Sequence, residues 1–169
     1  MRIVISTCIV FLLSLHMTVH AQIPNHFGAK GALQDQSIDL NKAITYALED
    51  EFLAQVRYDV IMEQYGTPKP FTEIQFADKE NVKDLLYLAG KYDISVPTHN
   101  ANAEHYVVRE SSLRQAFKTV IHAEHRNISM YDKFLREYTF PKDVMETFMD
   151  IREDSRRHLL QLKSEMNKL

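Results

Sequence analysis

Four segments of the chain carry apolar residues three or four positions apart, which is the spacing of one face of an α-helix. These segments begin near Ile38, Thr72, Ser112 and Pro141. The breaks at 66–70 and 139–141 are short and contain glycine or proline, whereas the connection at 93–110 is long. Two short connections on either side of a long one predict two helical hairpins joined by a crossover, in an all-α four-helix bundle.

In each predicted helix, polar side chains interrupt the apolar face. The first and third helices each have a glutamate followed seven positions later by a tyrosine, and the second and fourth each have two polar residues three positions apart. The four pairs are Glu51 and Tyr58, Asp78 and Asn81, Glu124 and Tyr131, and Ser155 and His158. Burying ionised carboxylates without a partner is very unfavourable. The pattern therefore predicts that these side chains meet inside the bundle, with a metal ion as the simplest compensating charge.

Length and charge limit the classes of protein that the chain can belong to. Its 169 residues are enough for one domain with a substantial core but few for two. The net charge is −3 at pH 7 and there is no cluster of basic residues, which argues against a nucleic-acid partner. The sequence leaves homo-oligomerisation open.

The first 21 residues have the pattern of an export signal. Arg2 precedes a mostly apolar run at 3–15, and residues 19–21 have the small-x-Ala form of a cleavage site. The run is too short to span the roughly 30 Å of a membrane core. We therefore predict cleavage after Ala21, a periplasmic or secreted mature protein, and no stable membrane insertion after cleavage.

The remaining chain divides into a leader and one domain. Cys8, the only cysteine, lies inside the predicted signal peptide, so the mature protein would have no disulfide and no thiolate chemistry. Residues 22–37 show little helical periodicity and predict a flexible N-terminal leader. The four-helix domain is predicted to occupy residues 38–169.

The polar positions match a known plan for a metal site in register, but only partly in identity. A two-metal site in a bundle takes one Glu from each of two helices and a Glu-x-x-His pair from each of the other two. Here Asp78 and Ser155 replace glutamates and Asn81 replaces a histidine. Carboxylate oxygens combined with an imidazole nitrogen suit iron, manganese or zinc.

Several stretches together carry a resemblance to a known family. They are Asp50 to Ala54 with Tyr58, Gly66 with Pro70 to Ile74, Ala123 and Glu124 with Asn127 to Asp132, and Ser155 to Leu159. Over 38–164 the chain resembles a bacterial and archaeal family of unknown function in the ferritin-like superfamily, related to rubrerythrin. In that family the second helix normally carries Glu-x-x-His and the fourth Ser-x-x-His. Asp78 and Asn81 are therefore departures that leave a degenerate dimetal-carboxylate site.

The resemblance also implies which residues would hold a metal. In ferritin-like sites the first-helix glutamate and second-helix histidine bind one metal, and the third-helix glutamate and fourth-helix histidine bind the other. The second half is retained here, whereas the first half lacks its imidazole. One ion, iron or another divalent transition metal, is therefore favoured over two. The expected ligands are Glu51, Asp78, Glu124 and His158, with Asn81, Ser155, Tyr58 and Tyr131 around them.

Two functional hypotheses follow from this pattern. The first is an exported ferritin-like metalloprotein that binds iron and acts as a metal-dependent oxidoreductase of the ferroxidase or peroxide type. The second is a metal-free relic in which a protonated His158 pairs with Glu124 and Asp78. Such a bundle would be a non-enzymatic structural or partner-binding module that presents its crossover, residues 93–110.

Overall fold

The computed structural model describes residues 22–96 and 103–169, and within them all regular structure is helical. Residues 1–21, where the signal peptide is predicted, and residues 97–102 of the crossover lie outside the described residues. The helices are α1 (Gly28–Gln34), α2 (Leu40–Tyr65), α3 (Phe71–Lys91), α4 (Leu113–Glu137) and α5 (Lys142–Met166), with a short 3-10 helix at Ala103–Tyr106. The predicted all-α class is confirmed, and the four long helices begin within two residues of their predicted starts.

The four long helices form two hairpins. Helix α2 packs along α3 and α4 packs along α5, while α2 also contacts α4 and α3 contacts α5. Gly66 ends α2 with a φ of 81°, a conformation that side chains with a Cβ rarely adopt. The side chain of Ser112 accepts a hydrogen bond from the Gln115 N–H at 3.2 Å and thereby fixes the start of α4. None of the described helices is long and apolar enough to cross a membrane.

The apolar core is divided into two clusters by a layer of polar residues. On α3, α4 and α5 the polar positions separate residues of one cluster from residues of the other. One cluster includes Leu85, Met130, Phe134, Phe148 and Ile151, and the other includes Ile61, Phe71, Ile74, Val120 and Leu162. The bundle is therefore held together by apolar contacts above and below the polar layer.

The leader predicted at 22–37 contains a docked helix. Helix α1 packs against α2 and α4, and Ala29 is buried against them. Its free N–H groups are satisfied by carboxylates of α2, because the Gly28 N–H donates to Glu49 Oε2 at 2.8 Å and the Ala29 N–H donates to Asp50 Oδ1 at 3.0 Å. The prediction of a flexible leader is therefore wrong for this segment.

The other end of α1 is held by a buried lysine of α4. Lys133 donates from Nζ to the carbonyl oxygens of Ala32 and Asp35, at 2.9 and 2.5 Å. A cation beside the last carbonyls of a helix also interacts favourably with the helix dipole. Both ends of α1 are thus stabilised by side chains that lie far away in the sequence, which local periodicity does not reveal.

The docking of α1 can be tested at Gly31. A Cβ at this position would lie 2.5 Å from the His26 carbonyl carbon and 2.8 Å from the Tyr46 ring. We expect Gly31→Ala to lower the free energy of unfolding by about 1–3 kcal/mol, because the backbone of the leader must shift. Denaturant unfolding measures the change.

The matched control is Gly90→Ala, since nothing lies within 4 Å of a Cβ at this position in α3. It should leave stability unchanged or raise it by up to about 1 kcal/mol. Equal stability of the Gly31→Ala and wild-type proteins would contradict the docked leader.

Candidate metal centre

The polar residues predicted from the sequence lie in the layer between the two apolar clusters, and each is at most 6% exposed. Five of them line a cavity of about 20 Å³, which has room for about one water molecule or ion. These five are Glu51, Tyr58, Asp78, Glu124 and Ser155. His158 lies beside two of the carboxylates. Tyr131 is near enough to Glu51 for the charge of this carboxylate to raise the pKa of the phenol. Asn81 is near enough to Glu51 to lower its pKa.

One half of the centre places an imidazole beside two carboxylates. His158 Nδ1 lies 3.6 Å from Asp78 Oδ1 and 3.7 Å from Glu124 Oε1. Both distances are longer than a hydrogen bond, and this buried nitrogen has no hydrogen-bond partner among the described residues. The Tyr58 hydroxyl donates to the same Glu124 oxygen at 3.2 Å. This half therefore brings an unpaired nitrogen and two carboxylate oxygens together.

The other half is organised by the amide of Asn127. Its Nδ2 donates to Asp50 Oδ2 at 3.0 Å and to Glu51 Oε1 at 3.3 Å. Its carbonyl oxygen accepts a hydrogen bond from the Ser155 hydroxyl at 2.8 Å. The Glu51 carboxylate is thus engaged by an amide, and Ser155 bonds to that amide.

Burial favours the neutral form of the carboxyl groups. It raises the pKa of Glu51 to about 8, and the charges of Asp50 and Glu124 add to this rise. Burial also raises the pKa of Asp78 well above its usual value, again with help from Glu51 and Glu124. The Asn127 amide opposes the shift at Glu51. Full ionisation of this cluster at neutral pH therefore requires a cation nearby.

The two tyrosines contact different parts of the centre. Burial raises the pKa of both phenols well above 10, so both are neutral hydrogen-bond donors at physiological pH. Tyr58 uses its proton on Glu124. The Tyr131 hydroxyl is buried and lacks a hydrogen-bond partner in residues 22–96 and 103–169.

The candidate ligand side chains are not gathered at the short distances of a formed metal site. In the described part of the chain, no group of three or more His, Cys, Asp or Glu residues has the arrangement of a formed metal site. Ligands held at about 2.0–2.2 Å from an ion lie roughly 3–3.5 Å from one another. The spacings of 3.6 and 3.7 Å around His158 Nδ1 are slightly wider. Ion binding would therefore require these side chains to draw together.

Three polar residues of the centre were not predicted from the sequence, namely Asp50, Arg57 and Asn127. Asn127 lies three positions after Glu124, on the same face of α4, and this spacing was the available signal. Asp50 adjoins Glu51 and points toward α1 as well as Asn127, an arrangement that depends on the unpredicted helix. The position of Arg57 could not be predicted in this way, because buried arginines do not occur at a fixed spacing on the apolar face of a helix.

Comparisons with known proteins inform the fold but not the chemistry. No family model matches the chain, and no curated protein matches it. The crystal structure of a hypothetical protein from Methanococcus jannaschii is similar, with a TM-score of 0.67 and 19% sequence identity over 79% of this chain and 84% of that chain. At this identity the similarity establishes a shared fold alone.

The role of Asn127 can be tested by truncation. Asn127→Ala removes the hydrogen bonds to Asp50, Glu51 and Ser155 and leaves buried polar atoms without partners. We expect the free energy of unfolding to fall by about 2–4 kcal/mol. Ser129→Ala on the exposed face of α4 is the control and should change it by less than about 0.5 kcal/mol. Similar effects of the two substitutions would refute the role assigned to Asn127.

The carboxyl cluster makes a prediction about pH. The folded protein holds a proton on Glu51 up to a pKa of about 8, whereas the usual pKa is 4.5. Since the folded state binds more protons between these values, the stability of the metal-free protein should fall as pH rises from about 5 to 8, and each pKa unit corresponds to about 1.4 kcal/mol. Denaturant unfolding with a chelator present, at several pH values, measures this slope.

Glu51→Gln should reduce the slope, because the amide cannot lose a proton, and the raised pKa of Asp78 accounts for part of what remains. Glu63→Gln, a change at an exposed position of α2, should leave the slope unchanged. A wild-type stability that rises between pH 5 and 8 in the presence of chelator would contradict the neutral carboxyl groups.

Proposed function

We propose that this protein binds one divalent transition metal ion in the polar layer of the bundle, with His158, Glu124 and Asp78 as its ligands. The observation that carries the proposal is the unpaired His158 Nδ1, buried at 3.6 and 3.7 Å from two carboxylate oxygens. A buried nitrogen without a partner is costly. A metal ion between these groups would be coordinated by the lone pair of His158 Nδ1 and by both carboxylates.

The charge of the layer also supports a cation. Asp50, Glu51, Asp78 and Glu124 are all buried or part-buried around one small cavity, and only Arg57 lines that cavity as a permanent positive charge. Without a further cation, burial and mutual repulsion keep protons on Glu51 and Asp78. A divalent ion would replace protons and allow the ligands to ionise.

A single ion is favoured over two because the Glu51 half is already occupied. The Asn127 amide bonds to Glu51, and the Ser155 hydroxyl bonds to Asn127. Asn81 supplies no imidazole on that side. A second metal would have to displace this hydrogen-bonded amide without gaining a nitrogen ligand, and Glu51 therefore serves as a neighbouring charge more than as a ligand.

The two-carboxylate, one-imidazole set accepts iron, manganese or zinc. Bound iron would supply redox chemistry of the ferroxidase or peroxide type, and the resemblance to ferritin-like proteins makes iron the first candidate. Tyr58 would hold Glu124 in position through its hydrogen bond. The cavity of about 20 Å³ restricts any reactant inside the layer to the size of water. Export to the periplasm or the medium remains part of the proposal, on the basis of residues 1–21.

A metal-free bundle is the second candidate, and two observations favour it. No formed metal site exists among residues 22–96 and 103–169, and protons on Glu51 and Asp78 would neutralise much of the layer. In that case the protein would be a structural or partner-binding module. Metal analysis separates the two candidates.

Metal titration and elemental analysis of protein purified without affinity-tag metal test the proposal. We expect one ion per chain in the wild type, and affinity reduced by at least roughly 10- to 100-fold in His158→Gln, since even outer partners of a ligand contribute that much. Glu124→Gln should weaken binding more than Glu51→Gln. Asn81→His should favour binding of a second ion, because it supplies a nitrogen ligand to the Glu51 half.

His122→Gln, at an exposed position of α4, is the matched control and should bind as the wild type does. A saturating metal should raise the melting temperature of the wild type and of His122→Gln, and by less in His158→Gln. If none of these proteins binds metal and their melting curves do not respond to it, the metal-free candidate is correct.

A further inference from the structure

A second and larger cavity lies on the other side of Arg57 from the polar layer. Its volume is about 310 Å³, and it is bounded by the segment before α1, by α1, α2 and α4, and by residues 106–110 of the crossover. Arg57 lines both this cavity and the small cavity of the polar layer. A volume of this size is within the range of small-molecule sites.

The charges on the wall of this cavity are mainly positive. Lys30, Arg57 and Arg126 line it, against one acidic residue, Glu110. Lys30 donates one hydrogen bond from Nζ to the Ile23 carbonyl at 2.8 Å and keeps two further N–H donors. The cavity therefore has an excess of cationic donors.

Arg57 lies between the two cavities and is largely buried. The residue is only 7% exposed, and no direct hydrogen bond or salt bridge joins its guanidinium to a described residue, although the charge of Asp50 acts on it. By contrast, Arg109 pairs with Glu63 at 2.6 Å and Arg152 pairs with Asp132 at 3.0 Å. A buried guanidinium has five N–H donors and strongly favours a carboxylate or phosphate.

Charges of both signs lie near Arg57. Burial lowers the pKa of Arg57 and the positive charge of Arg126 lowers it further, while the negative charges of Asp50 and Glu124 oppose the shift. The two guanidinium groups are thus close enough to repel each other. Asp50 attracts both groups, and an anion bound in the cavity would add a further attraction to each of them.

The remaining wall of the cavity indicates the shape of the ligand. Ile23, Val107 and Val108 supply apolar surface next to the cationic groups. Inorganic phosphate would satisfy the arginines but leave this surface against water. We propose that the cavity binds a small monocarboxylate, with its carboxylate between Arg57 and Arg126 and its apolar body against the valines.

Calorimetric titration with hexanoate tests this proposal, with hexanamide as the neutral analogue and inorganic phosphate as the anion without an apolar body. The protein is first treated with chelator, so that the result does not depend on a metal ion. Hexanoate should bind at least about tenfold more tightly than hexanamide and phosphate. Arg57→Gln and Arg126→Gln should each weaken hexanoate binding by about tenfold or more.

Arg109→Gln, a change at an exposed arginine outside the cavity, is the matched control and should leave hexanoate binding unchanged. Arg126 is only half-buried, so its variant keeps the test valid even if Arg57→Gln fails to fold; melting curves establish folding.

Equal binding of hexanoate and hexanamide, no binding of hexanoate at millimolar concentration, or unchanged binding by Arg126→Gln would overturn the proposal. Binding of phosphate alone would overturn the assignment to a monocarboxylate.

Discussion

The compensation of buried negative charge is the constraint on which the rest of this structure depends. Asp50, Glu51, Asp78 and Glu124 meet around one cavity between two apolar clusters. Apolar contacts alone would stabilise the bundle more simply, since burying carboxyl groups is unfavourable unless each has a partner. Amide and hydroxyl donors, protons and the Arg57 guanidinium each supply part of the compensation. The arrangement of the polar layer follows from which of these reaches each carboxyl group.

Helix α1 belongs to this compensation. Asp50 accepts a hydrogen bond from the Ala29 N–H with one oxygen and from the Asn127 amide with the other. The positive end of the α1 dipole therefore adjoins a carboxylate that also belongs to the polar layer. Lys133 holds the opposite end of α1. Displacing the leader would expose Asp50 and remove one donor from the layer, so docking of the leader and stability of the centre are coupled.

The parts of the structure that depend on local periodicity could be predicted from the sequence. The bounds of the four long helices and the inward register of Glu51, Glu124 and His158 depend on neighbours three or four residues away. Helix α1 could not be predicted, because its stabilising partners lie 21 residues away in α2 and about 100 residues away in α4. The hydrogen bond from Asn127 to Asp50, 77 positions distant, could not be predicted for the same reason.

The two halves of the polar layer reach neutrality in different ways. On the Glu51 side, the Asn127 amide and a proton with a pKa of about 8 balance the carboxyl group. These two groups lie where a second metal and an imidazole ligand would be needed, so the side with Asn81 in place of an imidazole has no uncompensated charge. On the His158 side, no amide or hydroxyl of residues 22–96 and 103–169 is hydrogen-bonded to Nδ1. Two buried polar atoms of this layer lack a hydrogen-bond partner among the described residues, the Tyr131 hydroxyl and His158 Nδ1. The second lies 3.6 and 3.7 Å from two carboxylate oxygens, and it is therefore the observation that most supports the proposed ion.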